Sequence, residues 1–374
     1  MKIPQKILAS FLLALYPKDM DKHTYAQRRE RLRACLRQRG LDALWIVNAA
    51  NRFYLSGFEL HDGQCNESSG SLLITAGGRD WLCTDPRFFD AARRIWDEDR
   101  IFIYRGDAFA LTGDFIRNNI KGLIGFEARA LCCHGLRATG LSLLAADGMV
   151  EKLRSSKDAQ EVEALRVSCA LNHELMLHLP ALLTPKRTEA GLAWEIERFF
   201  RERGATELAF PSIVGKDSNA ALPHYEASDS VALDEECLVL VDCGARLARY
   251  CSDQTRSFWT GVCPTSDFLR TLELVQGAQK AAIDGLRPGM SGAQAYGLAY
   301  DFFERHGVEK AFTHSLGHGI GLETHEGISL GPRCEQRLAP GMVVTVEPGL
   351  YYPEWGGVRW EYMVLVEEDG PHIL

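Results

Sequence analysis

The chain has 374 residues, of which 46% are hydrophobic and 25% are charged, the composition of an ordinary soluble globular protein. The 42 basic and 50 acidic residues give a formal net charge of -8, which argues against nucleic acid as a partner. No uncharged apolar stretch is long enough to span a bilayer, so we expect no membrane association. The length favours two domains, and 11 scattered cysteines favour a cytoplasmic protein over a disulfide-stapled one.

The first half of the chain has the pattern of an α/β domain. Residues 1–20 contain a short apolar stretch without a cleavage site, and we interpret them as a leader or a disordered segment. Beyond them, helical patterns alternate with apolar runs such as 43–47 and 71–75, which predicts a mixed sheet. Residues 1–154 are therefore predicted to form an N-terminal domain, and we find no catalytic cluster in it.

A second domain is predicted over residues 155–374, and it repeats itself. Asp158 followed by Glu161 has the spacing of a capping box, which marks the start of a long helix. Further on, residues 199–204 and 302–307 share the pattern Phe-Phe, three polar residues and a glycine. We expect these segments to end two helices, and the repeat predicts two helix–hairpin halves that face each other across a cleft.

Each predicted half carries a pair of acidic residues. In the first, a buried apolar strand leads into Asp242, and a hairpin centred near Leu247 would place Asp253 roughly opposite it. In the second, a similar strand leads into Glu347, and its return strand carries Glu361. Facing carboxylates repel each other, so four of them converging in a cleft indicate about two bound divalent cations.

Histidines accompany these acids in glycine-rich or polar segments: His224, His314, His318 and His325. The glycines match neither a phosphate-binding loop nor a dinucleotide fingerprint. One imidazole with four carboxylates is a ligand set that suits Mn(II) best, with Co(II), Zn(II) or Fe(II) as alternatives. Two such ions about 3.5–4 Å apart would hold a hydroxide nucleophile and polarise a carbonyl.

The motifs, taken in order, resemble those of the metal-dependent peptidases of the pita-bread fold, in the branch of Xaa-Pro aminopeptidases and prolidases. The resemblance covers nearly the whole chain, and it implies a creatinase-like mixed-sheet domain followed by a pseudo-two-fold pita-bread catalytic domain, an α/β (α+β) protein. The segments that carry it are 241–244, 252–256, 317–322 with 325–326, 347–351 and 357–361.

The resemblance implies a ligand set. Asp242 would bind one metal ion, His318 and Glu347 would bind the other, and Asp253 and Glu361 would bridge the two. The expected reaction is hydrolysis of the peptide bond before a proline in second position. Whether the protein is an Xaa-Pro aminopeptidase or a strict Xaa-Pro dipeptidase stays open, and a homodimer or larger homo-oligomer is expected.

Five residues would take part in the chemistry by the same resemblance. Glu347 would also accept the proton of the nucleophilic water, and His224 would lie on the substrate side. His314 and His325 match histidines that stabilise the tetrahedral intermediate and contact the proline side, and Arg359 matches an arginine that organises the site.

The sequence departs from the family pattern at two places. Gly327-Ile328 lacks the usual proline after the histidine motif, and Tyr362 stands where an aspartate is common. Neither is a ligand position, so they bear on substrate preference.

The two rival functions are a metal-free creatinase-type reaction and a non-catalytic scaffold. Proteins of both kinds have lost metal ligands, whereas all five ligand positions are filled here.

Overall fold

The computed structural model describes residues 22–59 and 68–374, so the predicted leader over residues 1–20 lies outside the described residues. The chain divides into two compact units, of which one ends at Arg154 and the other continues from Ser155 to Leu374. Among the described residues, no helix combines the length and the apolar character that a bilayer crossing requires.

The N-terminal unit is built around one mixed sheet, as predicted. Its helices are α1 Lys22–Arg39, α2 Ala49–Ser56, α3 Phe89–Ile95, α4 Ala108–Asn119, α5 Cys133–Thr139 and α6 Met149–Ser155. Its strands are β1 Ala43–Ile46, β2 Ser71–Thr75, β3 Trp81–Thr84, β4 Ile101–Ile103, β5 Ile124–Phe126 and β6 Leu144–Ala145. The strand order is β4-β3-β2-β1-β5-β6, with β1 antiparallel to β2 and parallel to β5.

The second unit consists of two successive helix-pair and strand groups. The first group is α7 Ala159–Leu182, α8 Glu189–Glu202, β7 Glu207–Leu208, β8 Ile213–Lys216, β9 Leu238–Cys243, β10 Ala245–Leu247, β11 Tyr250–Cys251 and β12 Gln254–Trp259. The second is α9 Ser266–Gly285, α10 Gly292–Arg305, β13 Val343–Val346, β14 Gly349–Tyr352, β15 Gly356–Arg359, β16 Tyr362–Glu367 and β17 Gly370–Ile373.

The internal repeat is visible in how the helices begin and end. Asp158 and Glu161 form the predicted capping box at the start of α7. Helices α8 and α10 begin after Thr188 and Ser291, whose side chains accept backbone N–H groups of the first turn. Both helices are followed by a glycine with positive φ, at residues 204 and 307. These local signals confirm the predicted helix boundaries.

Strand β9 lies between the apolar cores of the two groups. Leu238 and Leu240 are buried among residues of the second group, whereas Val239 and Val241 are buried among residues of the first. Successive side chains of a strand point to opposite faces. Asp242, the next even-numbered residue, therefore faces the second group.

The first hairpin corrects the predicted register. Leu247 pairs with Tyr250, so the turn is at Ala248 and Arg249, one residue beyond the predicted centre. Both turn residues have positive φ, 52° and 74°, which is the backbone conformation of a tight type I′ hairpin. Asp242 consequently pairs with Thr255 and not with Asp253. Asp253 lies two residues before Thr255, directly before the start of β12, on the same face as Thr255.

The second hairpin has the predicted register, and its two acids lie where the strand pairing is interrupted. Val346 pairs with Tyr362, and Gly349 pairs with Arg359; the same register places Glu347 opposite Glu361. The ladder is interrupted at this point. Glu347 N donates to Leu316 O at 2.9 Å, and Glu361 N donates to Thr255 O at 3.3 Å. Both glutamates therefore lie in a gap between two paired segments.

Candidate metal centre

Three buried carboxylates meet in the second unit. Carboxylate oxygens of Asp242, Asp253 and Glu361 all lie within 4.8 Å of one another, and the three residues are 8%, 6% and 1% exposed. Asp242 is on β9, Asp253 precedes β12, and Glu361 lies between β15 and β16. Ionised carboxylates packed this closely repel each other unless a cation lies between them.

Two oxygens of this group lack a protein partner. Asp242 Oδ1 and Glu361 Oε1 are buried, and the described residues offer neither of them a hydrogen-bond donor. A buried acceptor left in this state costs about 1–3 kcal/mol, and more if it is charged. Carboxylate oxygens are also the ligands that hard divalent cations prefer. The residues present therefore fit a bound divalent metal ion.

His318 and Glu347 adjoin the three carboxylates. His318 Nε2 is 3.6 Å from Asp253 Oδ2 and 3.4 Å from Glu347 Oε1. One threonine holds both residues: Thr345 Oγ1 accepts the His318 backbone N–H at 3.0 Å and donates to Glu347 Oε1 at 2.9 Å. The structure thus brings all five predicted ligand residues together, although their role as ligands stays a prediction.

Arg359 is hydrogen-bonded to two parts of the acidic group. Its Nη2 donates to Asp242 Oδ2 at 2.7 Å, and its Nε donates to Thr255 Oγ1 at 3.0 Å. Thr255 Oγ1 in turn donates to Glu361 Oε2 at 2.7 Å. The bonds to Asp242 and Glu361 each use one carboxylate oxygen, and the other oxygen of each residue is the one that lacks a partner.

His314 joins this network through Tyr351. Arg359 Nη1 donates to the Tyr351 hydroxyl at 2.8 Å, so that hydroxyl donates to His314 Nε2, also at 2.8 Å. His314 Nδ1 is 2.7 Å from Ser315 O, and this assigns the proton of the neutral ring to Nδ1. Burial lowers the pKa of His314 to about 4, in agreement with a neutral imidazole.

The other two predicted histidines are placed differently. The rings of His318 and His325 are in contact, with centroids 3.9 Å apart. His224 is exposed, and the described residues show no hydrogen bond from its ring to the other site residues. It is near enough to act electrostatically on Glu347, His314 and His325.

Without a cation, this site favours protonated acids. Burial, followed by the neighbouring acids, raises the pKa of Asp253 and of Glu361 well above the usual range. Burial also raises the pKa of Glu347 to about 7 and lowers the pKa of His318. A metal ion would reverse these tendencies, because it stabilises anionic and neutral ligands over their protonated forms.

Sequence reasoning gave no role to three residues of this network. Thr255 and Thr345 each lie two residues from an acid, on the same face of a strand, and a polar side chain in a buried strand is itself a signal. Tyr351 belongs to the motif at residues 347–351, but no pattern in the sequence shows that its hydroxyl meets His314 and Arg359.

The comparison with protein families agrees with this geometry. Residues 163–368 match the model of metallopeptidase family M24, and residues 28–156 match that of the creatinase/prolidase N-terminal domain. The chain belongs to metallopeptidase family M24. It is a metallopeptidase with the α/β fold that the resemblance implied, and its family acts with divalent metal ions.

Relatives cover both domains. An Xaa-Pro dipeptidase of Pyrococcus horikoshii is 33% identical over 340 residues, which are 89% of this chain and 92% of that protein. The structure of an Xaa-Pro dipeptidase from Bacillus anthracis matches with a TM-score of 0.86 and 30% identity, covering 93% and 97% of the two chains. An X-Pro aminopeptidase from Thermotoga maritima matches with a TM-score of 0.79 and 29% identity, covering 89% and 95%.

Proposed function

We propose that this protein is an Xaa-Pro exopeptidase that works with two divalent cations. The observation that carries the proposal is the buried group of Asp242, Asp253 and Glu361, two of whose oxygens lack a protein partner. The names of the relatives in both branches supply the substrate class, a peptide with proline in second position. Residues 1–154 and 155–374 are the proposed N-terminal and catalytic domains.

The proposed ligands are the five residues that the sequence predicts: Asp242, Asp253, His318, Glu347 and Glu361. Four carboxylates with one imidazole suit Mn(II), and Co(II), Zn(II) or Fe(II) are the alternatives. When bound, such cations polarise the scissile carbonyl and make water acidic enough to act as a nucleophile near neutral pH.

The protein's own residues orient the acids and handle the proton. Thr345 holds Glu347 Oε1, and Arg359 fixes Asp242 directly and Glu361 through Thr255. Glu347 is the proposed proton acceptor, because its carboxylate lies beside the proposed ligand His318 and an ionised carboxylate can take the proton of the attacking water.

The histidines would contact the substrate. His224 is exposed and therefore accessible to a peptide, and His325 packs on the proposed ligand His318. His314 is proposed to act with them, but Tyr351 and Ser315 engage both of its ring nitrogens. It would have to exchange one of these partners to donate to the tetrahedral intermediate.

An Xaa-Pro aminopeptidase is the proposed branch, and a strict Xaa-Pro dipeptidase is the alternative that the dipeptidase relatives favour. The test is a panel of Xaa-Pro dipeptides and longer Xaa-Pro peptides, incubated with and without Mn(II), whose products are identified by mass spectrometry. Release of the first residue from long peptides supports the aminopeptidase, and cleavage of dipeptides alone supports the dipeptidase. Failure to cleave any of them with metal present would refute the proposal.

A further inference from the structure

The long helices that open the two groups of the second unit each direct one buried carboxamide at a hairpin. Asn172 on α7 is 1% exposed, and Gln279 on α9 is 5% exposed. Neither side chain is among the proposed ligands. Both donate hydrogen bonds to residues that directly adjoin the acidic residues in sequence.

Asn172 contacts the neighbours of both aspartates. Its Nδ2 donates to Cys243 O at 2.8 Å, directly after Asp242, and approaches Ser252 Oγ at 3.3 Å, directly before Asp253. Its Oδ1 faces the Cys243 thiol at 3.8 Å. One carboxamide thus links the two chain segments that carry the aspartates.

Gln279 does the same for the glutamates. Its Nε2 donates to Val346 O at 3.1 Å and to Trp360 O at 3.0 Å, the residues directly before Glu347 and Glu361. This is the gap between the two paired segments of the second hairpin, where the glutamate N–H groups donate to other parts of the chain. The carboxamide connects the two sides of the gap.

We propose that Asn172 and Gln279 are positioning residues of the metal centre, each fixing the relative placement of the two carboxylates on its own hairpin. The inference rests on the proposed function, because it takes the four acids as metal ligands. The recurrence in both halves supports it, since in each half one helix carboxamide donates to two residues that adjoin the two acids in sequence. Residues that orient metal ligands typically change metal affinity about 10–100-fold when they are mutated.

The simpler explanation is that each carboxamide only satisfies buried carbonyl groups. The two explanations differ in what a donor-free variant loses. If the carboxamide only satisfies carbonyls, its removal lowers stability and leaves metal binding intact. If it positions the acids, its removal weakens metal binding and alters the geometry around the metal.

The test uses the near-isosteric variants Asn172→Leu and Gln279→Met of the full-length protein. Ser168→Ala is the matched control, because Ser168 Oγ on the same helix as Asn172 donates to Ala245 O at 3.1 Å, and Ala245 does not adjoin an acid in sequence. Mn(II) affinity is measured by calorimetry, the visible spectrum of the Co(II)-loaded protein reports ligand geometry, and the melting temperature of the metal-free protein reports stability.

We expect Mn(II) affinity to fall about 10–100-fold and the Co(II) bands to change in both variants. Ser168→Ala should lose stability without either change. If the wild type binds metal and both variants have unaltered Mn(II) affinity and Co(II) spectra, the inference is wrong and the proposed function stands. If the wild type binds neither Mn(II) nor Co(II), the inference and the proposed function are both wrong. Asn172→Ala and Gln279→Ala replace any variant that does not fold. If these also fail to fold while Ser168→Ala folds, the residues are structural and the inference is wrong.

Discussion

At the scale of single residues, the site has too few positive charges for its acids. Arg359 is buried, and within the described part of the chain it is the guanidinium that donates to one of these carboxylates, at Asp242 Oδ2. Burial opposes its charge, but Tyr351, Asp242 and Glu347 raise the pKa of Arg359 well above its usual value, so it stays protonated. One cation cannot balance four carboxylates. The remaining negative charge must be met by protons or by metal ions.

Replacing Glu347 with glutamine should abolish most of the activity. The amide keeps the size of the side chain but cannot accept a proton, and a general base contributes about 10²–10⁴ to the rate. We expect kcat of Glu347→Gln at saturating Mn(II) to fall by at least this factor. Glu354→Gln, an exposed residue in the turn of the same hairpin, is the control. Near-normal kcat in Glu347→Gln would remove this residue from the mechanism.

A second prediction concerns the Tyr351 hydroxyl, which joins Arg359 to His314. Tyr351→Phe removes both bonds, and a hydrogen bond to a charged group contributes about 1.5–3 kcal/mol. We therefore expect kcat/KM to fall by about 10–100-fold, since each 1.36 kcal/mol is about tenfold, while the metal content stays unchanged. Tyr352→Phe is the matched control, because its ring stacks on Trp355. An unchanged kcat/KM would show that the network does not need the hydroxyl.

At the scale of elements, the sequence predicted the strands and the convergence of the acids better than the first hairpin's register. A glycine at position 244, directly after a strand, is the residue type expected at a turn. In the structure, Gly244 instead allows the backbone of Ser252 to pass close by, because a Cβ at position 244 would lie 1.9 Å from Ser252 O. The turn falls on Ala248 and Arg249, which carry no glycine or asparagine signal for positive φ. The sequence cannot distinguish these two uses of glycine.

The hydrogen bonds between distant parts of the chain could not be predicted from the sequence for a different reason. Thr255 meets Glu361 across 106 positions of the chain, and Arg359 meets Asp242 across 117. Periodicity reports which face of an element is buried, but it does not report which residues of distant elements meet there. Ligand types could be predicted from their pattern, whereas the residues that orient them required the structure.

The third prediction concerns the segment that carries His224. Glu189, fully buried at the start of α8, holds this segment and the residues before it with four hydrogen bonds. Its Oε1 accepts from Lys216 N at 2.8 Å and Asn219 Nδ2 at 3.0 Å. Its Oε2 accepts from Tyr225 OH at 2.9 Å and Ser228 N at 3.1 Å.

Glu189→Gln should therefore disturb His224 and leave the metal in place. An amide has one acceptor oxygen, so one of the two backbone N–H groups would face an NH₂ donor. We expect kcat/KM to fall about tenfold, in line with a loss of about 1–3 kcal/mol for an unsatisfied buried donor. Glu195→Gln, on the same helix and paired with Arg198, is the control. In a His224→Ala background, Glu189→Gln should add little; full additivity would show that it does not act through His224.

At the scale of the whole molecule, the catalytic unit places two copies of one plan around a shared site. Each half supplies a helix pair, a hairpin and two acids, and β9 packs alternate side chains into the cores of both halves. The acids are close because two independently packed cores hold them there. Electrostatic repulsion between the acids therefore lowers the stability of the metal-free catalytic unit.

This coupling gives the last prediction, in which metal removal destabilises the protein in a pH-dependent way. Burial raises the pKa of Glu347 from 4.5 to about 7 in the metal-free fold, so in this window the Glu347 carboxyl binds more protons in the folded protein than in the unfolded chain. The contribution of Glu347 to the free energy of unfolding of the metal-free protein should therefore fall as pH rises from about 5 to about 7. The contribution of His314 and His325 should rise over the lower part of this range, because burial lowers the pKa of each to about 4. Metal binding requires ionised carboxylates, so its stabilisation should grow over the same range.

The measurement is the melting temperature after chelator treatment and after reloading with Mn(II), across this pH range. At free Mn(II) about a hundred times its Kd, the gain is about 2.7 kcal/mol, and activity should be lost with the metal and return with Mn(II) or Co(II). We expect the difference between the loaded and the metal-free melting temperatures to widen as pH rises. Because proton release accompanies binding, calorimetric heats should also depend on the ionisation enthalpy of the buffer. A difference in melting temperature that does not change with pH, together with buffer-independent heats, would contradict metal binding by buried acids that are protonated in the metal-free protein. Full activity in excess chelator would contradict the requirement for metal.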